Sequence, residues 1–511
     1  MKNLLTFSFT FIFAVMIVSS GCKTKQVTNQ KNIKNLKYQT NFLTLNNEAN
    51  SESEITSIVS SRDNKFIYAT GYFKGSITIP YKGRDLILES TDVSLFVFKF
   101  GKRLNKDSQF ESELLSYQTI EHARGNSIAF SLANKVVVCG NLYRSSVEPN
   151  SGLSIIHQNN TDGLIIAYDE NLEFKHFLTV NSNEPVSLRG IATNGFNIKA
   201  IGNVKGNYTI QTSEGFIDEV NFSSPGNYGI AINCQNSFYA PSAISFSMLP
   251  NDSLVSICKG GNFEEFYFTG YIQDHNAIRI KKENLDGTGS ILIGAIKNDN
   301  WLEGGLAFGN ANSVPYHLKC VRNNLYLSAK YSGNMIVNDQ RRSEIYNHTA
   351  PTSSSDGFMV KFEVENNGWF SYTKSYYPLS VSAQQSPIEN SNATAKGTDI
   401  SKEEDIVIVV GDFNREVNVN NFSPTTPIPL RSVTESNQSS LVSVSSGLGR
   451  HQVDILDGAG TITSQTIALQ ENNVFIGGSF NNELKMPRRS ETMTTSSKSL
   501  FLIILSDDYS E

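Results

Sequence analysis

Tryptophan is nearly absent: the chain has two in 511 residues. Cysteine is scarce too, at five, and no two form a CxxC pair, so a zinc site of known spacing is excluded. Seven histidines (His122, His157, His176, His275, His317, His348 and His451) are scattered without HxH or HExxH spacing. There is no Gly-x-Ser-x-Gly elbow. Gly287-Thr288-Gly289 lacks the strand–helix setting of a phosphate loop, and Asp454–Gly460 lacks the alternating oxygens of a calcium loop. No metal, cofactor or catalytic constellation is therefore expected. Basic clusters are missing as well. Arg341-Arg342 and Arg488-Arg489 are only pairs, and net charge is −6, so nucleic acid is not an expected partner. Beyond the N-terminus no amphipathic helical stretch of useful length occurs.

What the chain does have is a repeated phrase. An apolar run ends in a small residue, then any residue, then a large apolar one. Its small residues are Gly71, Gly140, Gly202, Gly270, Ala329, Gly411 and Gly478. A β-phrase recurring along a whole chain predicts an array of similar modules. The first module reads as a strand at Ser57–Ser61, the phrase at Phe66–Phe73, a third strand at Ser94–Phe100 and a fourth at Leu114–Ile120. Third strands recur at 162–168, 214–220, 290–296, 356–362, 440–444 and 499–504. Trp301 and Trp369 open equivalent fourth strands. The expectation is an all-β, seven-bladed β-propeller of four-stranded blades. Six or eight blades stay open, because 222–263 is irregular. The seventh module lacks a fourth strand, and Leu36–Phe42 is expected to supply it. The small residue is read as permitting close backbone approach or a bulge. Ala329 argues against a need for positive φ.

The N-terminus reads differently. Met1-Lys2-Asn3 precedes a weakly polar to apolar run from Leu4 to Ser20, as in a secretory signal. The run is short for a membrane span. It closes with Val18-Ser19-Ser20-Gly21-Cys22, which resembles a bacterial lipobox, with Ser19 where Leu is usual, as in the looser lipoboxes of the Bacteroidota. The resemblance implies cleavage before Cys22 and its acylation, and hence a membrane anchor. Domains are expected at 1–21 (signal peptide), 22–35 (a polar, flexible tether) and 36–511 (propeller). Lys23 after the lipid cysteine points to an outer-membrane lipoprotein, facing the periplasm or the exterior. Among the remaining cysteines, Cys139 and Cys320 read as core residues, and Cys234 and Cys258 as a possible disulfide pair.

Asp63-Asn64, Gly71-Tyr72-Phe73 and Asp92 through Phe100 resemble the SBBP-type bacterial β-propeller repeats. The resemblance covers residues 36–508 and implies a propeller in an exported protein, with no common activity. Asp92, Asp162 and Asp356 recur at one module position and are read as structural. Long, variable connections between second and third strands (80–91, 144–161, 338–355, 420–439 and 487–498) are read as one binding face. They carry Arg341, Arg342, Tyr346, Arg431, Arg488 and Arg489. The function expected is a non-enzymatic, membrane-anchored binding or scaffolding protein engaging a protein or glycan at the cell envelope. The alternatives are a propeller enzyme on polysaccharide or peptide, and a structural surface component.

Overall fold

The computed structural model describes residues 36–39 and 51–507. It omits internal stretches at 105–109, 148–151, 158–160, 236–237, 262–264, 274–289, 298–299, 309–312, 340–343, 350–354, 365–369, 380–381, 384–385, 388–391, 402–405, 420–427, 432–437, 447–450, 471–472 and 486–491. Cys22 and the whole N-terminal segment lie outside the described residues. Leu36–Glu511 forms one compact unit.

The described residues are all-β, without a helix, and form a β-propeller. Antiparallel groups of four strands follow one another along the chain, each running from an inner to an outer strand. The inner strands are Glu52–Ser60, Ala123–Phe130, Val186–Asn194, Ser253–Lys259, Val314–Val321, Ala393–Ile400 and Ile462–Gln470. Each packs against the next, and Ile462–Gln470 packs against Glu52–Ser60. The last group joins the first through a single parallel pairing of Lys498 with Glu52. Leu36–Gln39 pairs antiparallel with the C-terminal strand, Leu36 opposite Asp507 and Gln39 opposite Ile504.

The unbroken apolar look of the third strands follows from burial on both faces. Along Leu95–Phe100 alternate side chains serve different cores. Phe96, Phe98 and Phe100 pack with Leu500, Leu502 and Ile504 of the last group. Leu95 and Val97 pack with Val136, Val138 and Ile166 of the second. The hydrophobic core thus lies between groups.

A small hydrogen bond repeats at these interfaces. The Ser57 hydroxyl accepts from the Ile128 N–H (3.3 Å), Ser127 from Ile191 (3.4 Å) and Ser256 from Leu318 (3.1 Å). Thr466 accepts likewise from Ile58 (3.1 Å), across 408 residues of sequence.

One strand assignment is corrected. The third strand of the third group is Asn227–Gln235, not 214–220. Ile217–Val220 instead forms an arm with Tyr208–Thr212, and that arm pairs with the outer strand Phe174–Ser182 of the second group. Gly215-Phe216 imitated the Asp-Gly-Phe opening of a third strand, whereas a turn with positive φ at Gly215 holds the arm. The irregular 222–263 stretch contains three regular strands, Asn227–Gln235, Ser242–Met248 and Ser253–Lys259.

The repeated aspartates are structural in these surroundings. Asp162 and Asp356 are fully buried. Asp162 faces His157 Nδ1 at 2.8 Å, and Asp356 accepts from the Tyr331 hydroxyl at 3.2 Å. Asp92 accepts from the Val93 N–H at 2.8 Å and faces His122.

Candidate functional site

Every inner strand carries a one-residue register shift against its second strand. The shifts fall between Ile55 and Ser57, Gly125 and Ser127, Leu188 and Gly190, and Leu254 and Ser256. They recur between Pro315 and His317, Ala395 and Gly397, and Ser464 and Thr466. An extra residue of this kind bends the strand and re-aims its side chain. The seven extra residues are Thr56, Asn126, Arg189, Val255, Tyr316, Lys396 and Gln465. All line one cavity of about 1750 Å³, whose wall takes residues from every inner strand. It is a central channel.

The residue facing each shift is the small residue of the repeated phrase: Gly71, Gly140, Gly202, Gly270, Ala329, Gly411 or Gly478. A Cβ on Gly71, Gly140, Gly202 or Gly478 would overlap the carbonyl oxygen of Glu54, Arg124, Ser187 or Thr463. On Gly270 it would lie 2.6 Å from the Ser253 oxygen. None of these glycines has a positive φ. The bulged strand comes too close for a side chain, and the glycine is there for that approach.

Charge gathers at the channel end where the inner strands begin. The Arg124 guanidinium lies 4.3 Å from the centre of the Tyr72 ring and 4.0 Å from Glu54 Oε2. Its Nε is buried without a hydrogen-bond partner. Glu54 is already engaged: Lys498 Nζ donates to it at 2.6 Å and the Tyr72 hydroxyl at 2.9 Å. Burial would raise the Glu54 carboxyl, but Lys498, Tyr72 and Arg124 hold it below the usual range. Arg189 is open to the channel and donates from Nε to Ser187 Oγ at 3.3 Å. Enclosure by the walls, then the neighbouring Arg124 charge, depresses its guanidinium, which stays charged. No carboxylate faces Arg189 among the described residues. Lys396 pairs with buried Asp412 at 2.5 Å. Burial raises the Asp412 carboxyl against the pull of Lys396, the Ser464 N–H and Gln438. Four cations thus meet two carboxylates.

Neutral groups complete this end. Asn126 Nδ2 donates to Asn141 Oδ1 (2.5 Å) and to the Leu188 carbonyl (2.6 Å). Burial, then Asp412, pushes the Tyr316 hydroxyl up to about 12, and burial raises Tyr143. Deeper in, burial and the nearby Lys319 push His317 down to about 4, and its Nδ1 has no partner. Toward the far end Lys319 and Asp399 pair at 2.7 Å, which holds the Lys319 ammonium up despite burial.

The expected binding loops are β-ribbon arms continuing the second and third strands. They include Gly75–Ser90, Asn334–Asp339 with Glu344–Thr349, and Glu416–Val419 with Ile428–Arg431; Tyr208–Val220 is a further arm that sequence reading did not place among them. Glu52 pairs with Lys74, so these arms rise at the charged end of the channel. Tyr346 sits in one arm opposite Val337, and Arg431 ends another opposite Glu416. Arg341, Arg342, Arg488 and Arg489 lie outside the described residues. Sequence reading missed Arg124, Arg189 and Lys396. They lie 16, 13 and 15 residues ahead of Gly140, Gly202 and Gly411, so no fixed offset from the phrase marks them. Cys234 and Cys258 do not pair. All four described cysteines are free, and Cys234 is buried in a different interface.

No protein-family model and no curated protein matches the chain. Solved structures resemble it at low identity. The parainfluenza virus 5 hemagglutinin-neuraminidase with the ligand DANA is 9% identical, with 94% of this chain and 96% of that one covered at a TM-score of 0.35. The Trypanosoma rangeli sialidase with the inhibitor DANA is 11% identical, with 89% and 55% covered at 0.33. The Myceliophthora thermophila Cps50 (Swd1) β-propeller domain is 7% identical, with 75% and 97% covered at 0.32. These values carry no ligand or activity over to this chain. They do overturn one expectation: similar structures include sialidases and neuraminidases, so the inference from missing motifs to a non-enzyme fails. The physical reason is visible in the channel. Residues from seven strands converge there from across the whole sequence, and no spacing rule detects them.

Proposed function

We propose that this chain is an exported, lipid-anchored β-propeller that binds an acidic glycan at the charged mouth of its channel. The observation that carries the reading is Arg189, a guanidinium open to the channel with no carboxylate beside it, next to an Arg124 whose Nε is unpartnered. Two such groups favour a carboxylate, which arginine binds through paired N–H donors. The tyrosines and side-chain amides around them suit a sugar: flat rings pack on its C–H faces and amides bond its hydroxyls. Arms rising around the mouth fit an extended chain better than a small ion.

The anchor rests on the lipobox-like Cys22, with placement in the outer membrane on the periplasmic or exterior side. We further propose a closed ring of seven blades. It is supported by the Thr466–Ile58 hydrogen bond that repeats the internal ones, by the core shared between first and last groups, and by the pairing of Leu36–Gln39 with the C-terminal strand.

Calorimetric titration tests the ligand. A polyuronate oligosaccharide is expected to bind, more weakly as salt rises. Its methyl-esterified form is expected to bind at least tenfold more weakly. Arg189→Gln should cost about tenfold to a hundredfold with no change in melting temperature, as for a charge-assisted hydrogen bond. Equal binding of the neutral glycan, or binding only of an acidic peptide, rules the reading out. Incorporation of labelled palmitate into the chain, abolished by Cys22→Ser, tests the anchor.

A further inference from the structure

Cys258 and Cys320 come from neighbouring inner strands, Ser253–Lys259 and Val314–Val321, and meet in the interface between the fourth and fifth groups. Cys258 belongs to the core cluster there, and Cys320 packs on it. The Leu318 N–H donates to the Ser256 hydroxyl at 3.1 Å, which sets the two strands side by side two residues before each cysteine. Both cysteines line the channel. Cys258 is 8% exposed, whereas Cys320 is partly open and donates to the Arg322 carbonyl at 3.4 Å. Cys139 and Cys234 are both free and buried in a different core cluster.

We propose that Cys258 and Cys320 form a disulfide, a covalent staple between the fourth and fifth groups in the channel wall. The oxidant is a small-molecule or protein disulfide of an oxidising compartment. The Cys320 thiolate attacks one sulfur of that disulfide. A mixed disulfide forms and one thiolate leaves. The Cys258 thiol then loses its proton to water and attacks the Cys320 sulfur, which expels the second thiolate. Two protein thiols are oxidised, one external disulfide is reduced to two thiols, and the two protons released end on them. Burial raises the Cys258 thiol, so the second step is the slow one.

Incubation of the mature protein in glutathione buffers of graded redox ratio tests this. In the oxidised buffer the intact mass should fall by two hydrogens. Non-reducing peptide mapping should join the Cys258 and Cys320 peptides, while Cys139 and Cys234 still alkylate after unfolding. The staple closes a loop of 62 residues, so the oxidised form should melt a few degrees, up to about 4 °C, above the reduced form. Cys320→Ser should abolish that difference. Should the Cys320→Ser chain fail to fold, the mapping of wild type decides alone. Cys258 and Cys320 both free in oxidised buffer, a stable glutathione adduct on Cys320, or a Cys234–Cys258 link would each overturn the proposal.

Discussion

Two rings of residues lie one strand apart in this molecule, and they differ sharply. On the second strands the ring facing the bulges is Gly71, Gly140, Gly202, Gly270, Ala329, Gly411 and Gly478. On the inner strands the bulged ring is Thr56, Asn126, Arg189, Val255, Tyr316, Lys396 and Gln465. The same backbone device produces both. One side is held to glycine or alanine because the approaching carbonyl leaves no volume at Gly71, Gly140, Gly202 and Gly478 and room for only a methyl at Ala329. The other side holds seven different residue types because the bulge turns each of them into open space. Packing fixes the first ring, while the second is left free to carry chemistry.

The largest expected effect breaks the uniform ring. Gly202→Val places a branched side chain against the Ser187 carbonyl and the Leu188 backbone. Overpacking against backbone cannot relax by rotating a side chain, so a loss of about 3 kcal/mol or more is expected in denaturant unfolding. Arg189→Gln, in the variable ring, should leave unfolding within about 0.5 kcal/mol of wild type. Equal losses in the two variants would remove the distinction between the rings.

The uniform ring was legible in the sequence because a size limit leaves the same mark in every copy. Three other features were not legible. The bulge is a property of register between strands, so Arg189 and Lys396 look like ordinary strand residues until their partners are known. Residues 214–220 of the arm were read as a blade strand because the turn glycine copies the module opening. That Cys320 packs on the same core as Cys258 was not legible either, because the two sit in different groups 62 positions apart. Alternating burial on both faces of each sheet hides which interface a residue serves.

A middle-sized effect sharpens the comparison at the position following each bulge. There Ser57, Ser127, Ser256 and Thr466 latch one group to the next. Ser57→Ala and Thr466→Val should each cost about 1–2 kcal/mol, since a buried N–H loses its acceptor. Equal costs favour a closed ring, because Thr466 joins the last group to the first. A Thr466→Val chain as stable as wild type would argue that the seam opens in solution.

A further effect, read as a difference between two pH values, concerns the one imidazole at that latch position, His317. Its ring is held near pKa 4, against about 6.5 in an unfolded chain. Between those values the unfolded chain takes up a proton that the folded one refuses. The folded state is therefore favoured fully above about pH 6.5 and loses that contribution as pH falls toward 4. Other groups also titrate in this window, so the difference between variants isolates the imidazole. His317→Gln removes the titration and keeps a polar group of similar reach. Its melting temperature should drop less between pH 7 and pH 4.5 than that of wild type, by a few degrees. Identical drops would mean that water in the channel solvates the imidazolium well enough to cancel the enclosure of the wall.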